Sequence, residues 1–132
     1  TASLLSQARA LNFADPETSI DLYGRVLALD PDNVEALTYR AWMLALVARG
    51  VGAEVGALAL AAARDDLTRA IELDPDYPDP RCFLGIVAFR FEGDPAAAKV
   101  HLDECQRRNP PAEVAELVAA LVAEVDASLE SP

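Results

Sequence analysis

One histidine, two cysteines and several runs of acidic residues are the side chains of this 132-residue chain with chemistry to offer. His101 could serve as a general base or a metal ligand. A triad or a histidine-based metal site needs further members, however, and no serine or cysteine stands in a recognisable nucleophile setting. The expected place for it is the surface of a helix. Cys82 and Cys105 have no metal-ligand spacing around them. They are expected as two small apolar helix residues, with a disulfide as the alternative. The acidic runs Asp30–Asp32, Asp74–Asp79 and Asp103-Glu104 lack the twelve-residue loop with alternating ligands and a closing Glu that calcium requires. Helix caps and solvated faces account for them. In Gly50-Val-Gly52-Ala-Glu-Val-Gly56 the third glycine falls one position late for a G-x-G-x-x-G phosphate loop, and no strand precedes it. A flexible hairpin tip is the simpler expectation. The chain therefore reads as no enzyme, with no catalytic residue, cofactor or metal ligand.

Bulk composition narrows the partners. A net charge of −11 disfavours nucleic acid and anionic membrane surfaces, which need a basic face, and leaves neutral, apolar or basic partners. An apolar share of 52% is that of a folded chain, and 132 residues suffice for one domain with its own core. The most apolar stretch, Ala41 to Ala63, is broken by Arg49, Glu54 and three glycines, short of the roughly 20 apolar residues a membrane span needs. The chain opens at Thr1 without Met or signal peptide, as an excised piece whose targeting segment has been removed would.

The elements that must position any site are helices. Apolar residues recur at three and four, and no stretch alternates as a strand would. Breaks rich in Pro, Gly and Asp divide the chain into seven helices, approximately 2–13, 17–29, 33–49, 55–73, 79–92, 95–108 and 111–129. Asp94-Pro95 and Asp15-Pro16-Glu17 read as acidic N-caps followed by proline in the first turn, where its missing N–H costs nothing. Two phrases repeat: Ser19 to Asn33 and Ala63 to Tyr77 each end a helix in Leu-Asp-Pro-Asp. Proline disfavours the helical conformation in the residue before it, so each phrase is a stop signal. Internal repetition of this kind is the signature of stacked helical hairpins.

Taking Pro31, Pro75 and Pro110 as equivalent, the spacings are 44 and 35 residues. With small residues at Ala41, Gly85, Ala63, Ala70 and Ala98 and larger ones at Leu37, Leu44, Leu67, Leu84 and Leu102, the pattern resembles the tetratricopeptide repeat. The resemblance implies an all-α fold, an α-solenoid of three hairpins with a C-terminal capping helix. It forms a single domain over 1–132, with repeats at approximately 1–33, 34–77 and 78–110 and the cap at 111–129. The second repeat carries about ten extra residues around Arg49–Ala62, expected as a lengthened hairpin with a glycine-rich tip. In the final helix Val114, Leu117, Val118, Leu121, Val125 and Leu129 share one face, as an end helix with one wet side requires.

Tetratricopeptide stacks bind along a concave surface formed by their first helices. By resemblance, a peptide-binding groove here comprises Arg9, Phe13, Thr38, Tyr39, Trp42, Phe83, Ile86, Phe89 and Arg90, joined by Leu5, Leu46 and Cys82. The chaperone-binding branch of the family clamps a terminal carboxylate with Lys, Asn and Arg. This chain has Thr38, Trp42, Cys82 and Ile86 at corresponding places, so that clamp is missing. The remaining trough, aromatic and aliphatic with Arg9 and Arg90 near its ends, suits an amphipathic helix of a protein client. Trp42 and Phe89 are the expected anchors. The phrases Ala36-Leu-Thr-Tyr-Arg-Ala-Trp42, Leu73-Asp-Pro-Asp-Tyr-Pro-Asp79, Phe91-Glu-Gly-Asp-Pro-Ala-Ala97 and Asn109-Pro-Pro-Ala112 also resemble the extracytoplasmic repeat domain of bacterial cytochrome c biogenesis factors of the CcmI/NrfG type. That resemblance implies an assembly chaperone that holds apocytochrome c on the extracytoplasmic side of a membrane, tethered by an anchor this chain lacks. Alternatives are a homo-oligomerisation or scaffolding module and a regulatory domain of a larger protein.

Overall fold

A computed structural model describes residues 2–12 and 14–130, and among these every regular element is helical. The helices are α1 (Ala2–Leu11), α2 (Pro16–Leu29), α3 (Val34–Ala48), α4 (Ala53–Leu73), α5 (Asp79–Ile86), α6 (Pro95–Arg107) and α7 (Ala112–Glu130). The last turn of the fifth helix, Val87–Phe91, is π-helical, closed by Glu92 N–H donating to the Val87 carbonyl at 3.1 Å. The sequence anticipates an unbroken helix over 79–92. Helical periodicity carries no signal for the one-residue insertion that widens a turn.

Local chemistry accounts for the boundaries. Asp15 accepts from the Thr18 N–H at 3.2 Å and from its hydroxyl at 2.6 Å, with Pro16 in the first turn of α2. Asn33 caps α3 through the Ala36 N–H at 2.9 Å, and Asp94 caps α6 through the Ala97 N–H at 3.1 Å. Each side chain satisfies a donor that the first turn leaves without a helical partner. After α6, Asn109 takes φ 52°, a left-handed stop that Pro110 and Pro111 prevent from continuing.

The chain packs as two compact units, Thr1–Asp74 and Pro75–Pro132, where the sequence reads as one domain. The division falls inside the second Leu-Asp-Pro-Asp phrase. In the first unit α1 packs on α2, α2 on α3 and α3 on α4. Ala8, Leu22, Tyr23, Val26 and Ala36 form a buried cluster, with Leu4, Leu5, Leu11, Leu27 and Tyr39 packed against it. Inside it the Ser19 hydroxyl donates to the Ala8 carbonyl at 3.0 Å, and the Tyr23 hydroxyl donates to the Asn12 side-chain oxygen at 2.8 Å. These bonds let two polar side chains be buried without the cost of an unmet hydrogen bond.

The extra residues of the second repeat are mostly helix rather than loop. Only Arg49–Gly52 form the turn, and α4 begins at Ala53. Gly56 lies inside α4, where a Cβ would stand 2.8 Å from the Ala48 carbonyl oxygen. Its role is the close approach of α4 to the end of α3, not a flexible tip.

In the second unit α5 packs on α6, and α7 contacts both. Cys82 on α5 and Cys105 on α6 form a disulfide, Cα–Cα 5.0 Å, with both residues fully buried. The expectation of two unpaired apolar cysteines is therefore corrected. They are 23 residues apart in sequence, and only the antiparallel pairing of the two helices brings them together. On α7, Val118, Leu121 and Val125 are buried as expected, but Leu117 and Leu129 are 48% and 45% exposed.

Candidate functional site

The nine groove residues separate into three classes. Tyr39 and Trp42 are half-buried on α3, and half-buried Leu46 follows Trp42 by one turn. Spacings of three and four place these residues on one stripe of the helix. Each shows part of its apolar surface to solvent. At the Glu35 end of α3, the Arg9 guanidinium forms a two-point ion pair with Glu35, its terminal nitrogen donating at 2.6 Å and its Nε donating to the other oxygen. Arg9 thus joins α1 to α3 and holds its charge on Glu35.

On the second unit Phe89 is half-buried, and the exposed Arg90 guanidinium lies 5.4 Å from the Phe89 ring centroid. The same guanidinium donates to Glu124 of α7 at 2.5 Å. The sequence treats Arg9 and Arg90 as cations flanking a trough. Their acidic partners are 26 and 34 residues away, beyond the reach of any local pattern.

Three expected groove residues belong to the interior instead. Thr38 has no exposed surface, and its hydroxyl donates to the Val34 carbonyl at 2.8 Å. Phe83 and Ile86 retain only 3% and 4% of their surface. An apolar residue on a first helix satisfies a groove pattern and a core pattern equally, and the packing decides between them. Phe13 lies outside the described residues.

A further surface feature escaped the sequence. The turn between α1 and α2, the end of α3 and the turn before α4 enclose an open cleft of about 300 Å³, lined by Pro16, Leu46, Val47 and Val51 together with Asp15 and Glu17. Leu46 belongs to both the α3 stripe and this cleft. The signals are Asp15-Pro16-Glu17, expected as a helix cap, and Gly50–Gly52, expected as a hairpin tip.

His101 is half-buried, contrary to the surface position expected of it. Burial, reinforced by the positive charge of Arg81 and opposed by Glu92, lowers its pKa below the usual imidazole value. The ring is therefore biased toward its neutral form. Among the described residues no group of three or more His, Cys, Asp or Glu side chains is arranged to hold a metal ion, and no helix is long and apolar enough to cross a membrane. No protein-family model matches the chain, and no curated protein matches it.

Proposed function

We propose that the chain is a non-enzymatic protein-binding adaptor, a solenoid of tetratricopeptide-like hairpins ended by α7, which holds an amphipathic helix of a client protein. The carrying observation is the α3 stripe of Tyr39, Trp42 and Leu46, half-exposed and free of any carboxylate-clamping cation in its own sequence positions. Aromatic side chains of this kind supply large contact area at low entropic cost and dominate interface energetics. Within each of the two units consecutive helices pack on one another, as they do in a repeat array. In its specific form the client is apocytochrome c, held outside the cytoplasm. The quoted sequence phrases favour that version, and so does the buried Cys82–Cys105 disulfide, which is typical of proteins that fold where thiols are oxidised.

Trp42 is the only tryptophan and reports directly on the stripe. Titration with C-terminal apocytochrome c peptides and with unrelated amphipathic helices is expected to shift its emission, most strongly with the apocytochrome peptides. Equal binding by all peptides leaves the general adaptor and removes the apocytochrome version; no binding by any removes both.

Self-association is a second reading, favoured by the exposed Leu117 and Leu129 on α7. Sedimentation of a monomer at every protein concentration tested removes it.

A further inference from the structure

Three observations meet at one end of the α3 stripe. Leu46 is shared between the stripe and the cleft of about 300 Å³, so a helix lying along Tyr39 and Trp42 runs toward that cleft. Pro16, Leu46, Val47 and Val51 supply its apolar lining, and the volume sits at the lower limit of ligand pockets, the scale of one large side chain rather than a cofactor. Two carboxylates, Asp15 and Glu17, belong to the same lining, and the two hydrogen bonds from Thr18 hold the Asp15 carboxyl below its ordinary pKa.

We infer that this cleft selects and orients the client: one large apolar side chain of the client helix enters between Leu46, Val47 and Val51, and a lysine or arginine beside it meets Asp15 and Glu17. The inference rests on the adaptor reading and adds to it a client chemistry and a direction. The apolar stripe alone would accept an amphipathic helix in either direction. An anchor pocket at one end with two carboxylates in its lining favours the helix whose basic end points there, because charge complementarity fixes register and orientation more than it adds affinity.

The test uses three peptides of about 18 residues, long enough for a helix to be stabilised on contact. They share one apolar face and differ only beside the terminal leucine, with two lysines, two glutamines or two glutamates. Binding is followed by Trp42 emission and by calorimetry on the full chain. The lysine peptide is expected to bind roughly threefold to tenfold tighter than the glutamine peptide, and the glutamate peptide to be weakest. The preference should shrink between roughly 0.05 and 0.5 M salt as screening shortens. Asp15→Asn with Glu17→Gln should abolish it without unfolding α2, because asparagine caps a helix as well as aspartate does. Val51→Lys, at a position 37% exposed, should shrink it independently of the cap. Equal affinity for the three peptides, or an unchanged order in the variants, overturns the selectivity and leaves the adaptor standing. Failure of all three peptides to bind overturns both.

Discussion

Gly85 on α5 lies against Leu102 on α6 so closely that a Cβ at position 85 would stand 2.5 Å from Leu102 Cδ2, 2.6 Å from its Cγ and 3.3 Å from its backbone nitrogen. The glycine sets the separation of the two helices that the Cys82–Cys105 disulfide also joins. Gly85→Ala is therefore expected to destabilise the second unit by about 1–3 kcal/mol through overpacking. Gly24→Ala is the control, because a Cβ there meets nothing within 4 Å. It should stabilise α2 by up to about 1 kcal/mol. Urea unfolding of both variants measures the difference, and equal effects would remove the close-approach account.

The disulfide makes a prediction of its own. Its closed segment spans 23 positions, and cross-links over such loops restrict the unfolded chain. Replacing both cysteines with alanine should cost about 3 kcal/mol. Intact mass under non-reducing conditions should be two hydrogens lighter than the fully reduced chain. A full-mass oxidised sample, or an unchanged midpoint in the double variant, would remove the pairing from the account of stability.

Core and surface aromatics should part company in mutagenesis. Phe83→Ala removes a buried ring and is expected to cost about 3–5 kcal/mol of stability, whereas Phe89→Ala removes a half-buried one and should cost clearly less. Trp42→Ala should weaken client binding by about 2 kcal/mol while lowering stability by less than that. If Trp42→Ala unfolds the chain and the residual fold binds normally, Trp42 belongs to the core.

His101 gives stability a pH dependence of known sign. Its folded pKa is lowered, so the unfolded chain binds more protons between the folded value and the ordinary 6.5. Stability therefore rises with pH through that window and is lost as acidification carries the pH from above 6.5 down through the folded pKa. Glu104 and Asp15, also lowered, act in the same direction, but below their ordinary values of 4.5 and 3.8. His101→Gln should flatten the slope near neutrality and leave the acid limb in place, as denaturation midpoints against pH will show.

Much of the helical framework was legible because its causes are local. The observed α2, α3 and α6 start within one residue of expectation, since Asp15, Asn33 and Asp94 cap donors only three residues ahead. Gly56 was harder. Glycine marks a loop as readily as a close helix contact, and only the Ala48 carbonyl across from it distinguishes the two. The candidate site was legible in outline, with Tyr39, Trp42 and Phe89 partly exposed, but Thr38, Phe83 and Ile86 were not separable from them by spacing.

The amino-acid sequence by itself determined an all-helical chain, its punctuation by proline and acidic caps, and the acidity that restricts its partners. Those properties depend on neighbours a few residues apart. Only the tertiary structure decided that Cys82 meets Cys105, that Arg9 and Arg90 are held by Glu35 and Glu124, and that the packing divides at the Leu73-Asp74-Pro75-Asp76 phrase. Pairings across 23 to 34 residues depend on how whole helices are set against one another, and burial depends on what lies opposite. Periodicity along one helix specifies a face but not its occupant.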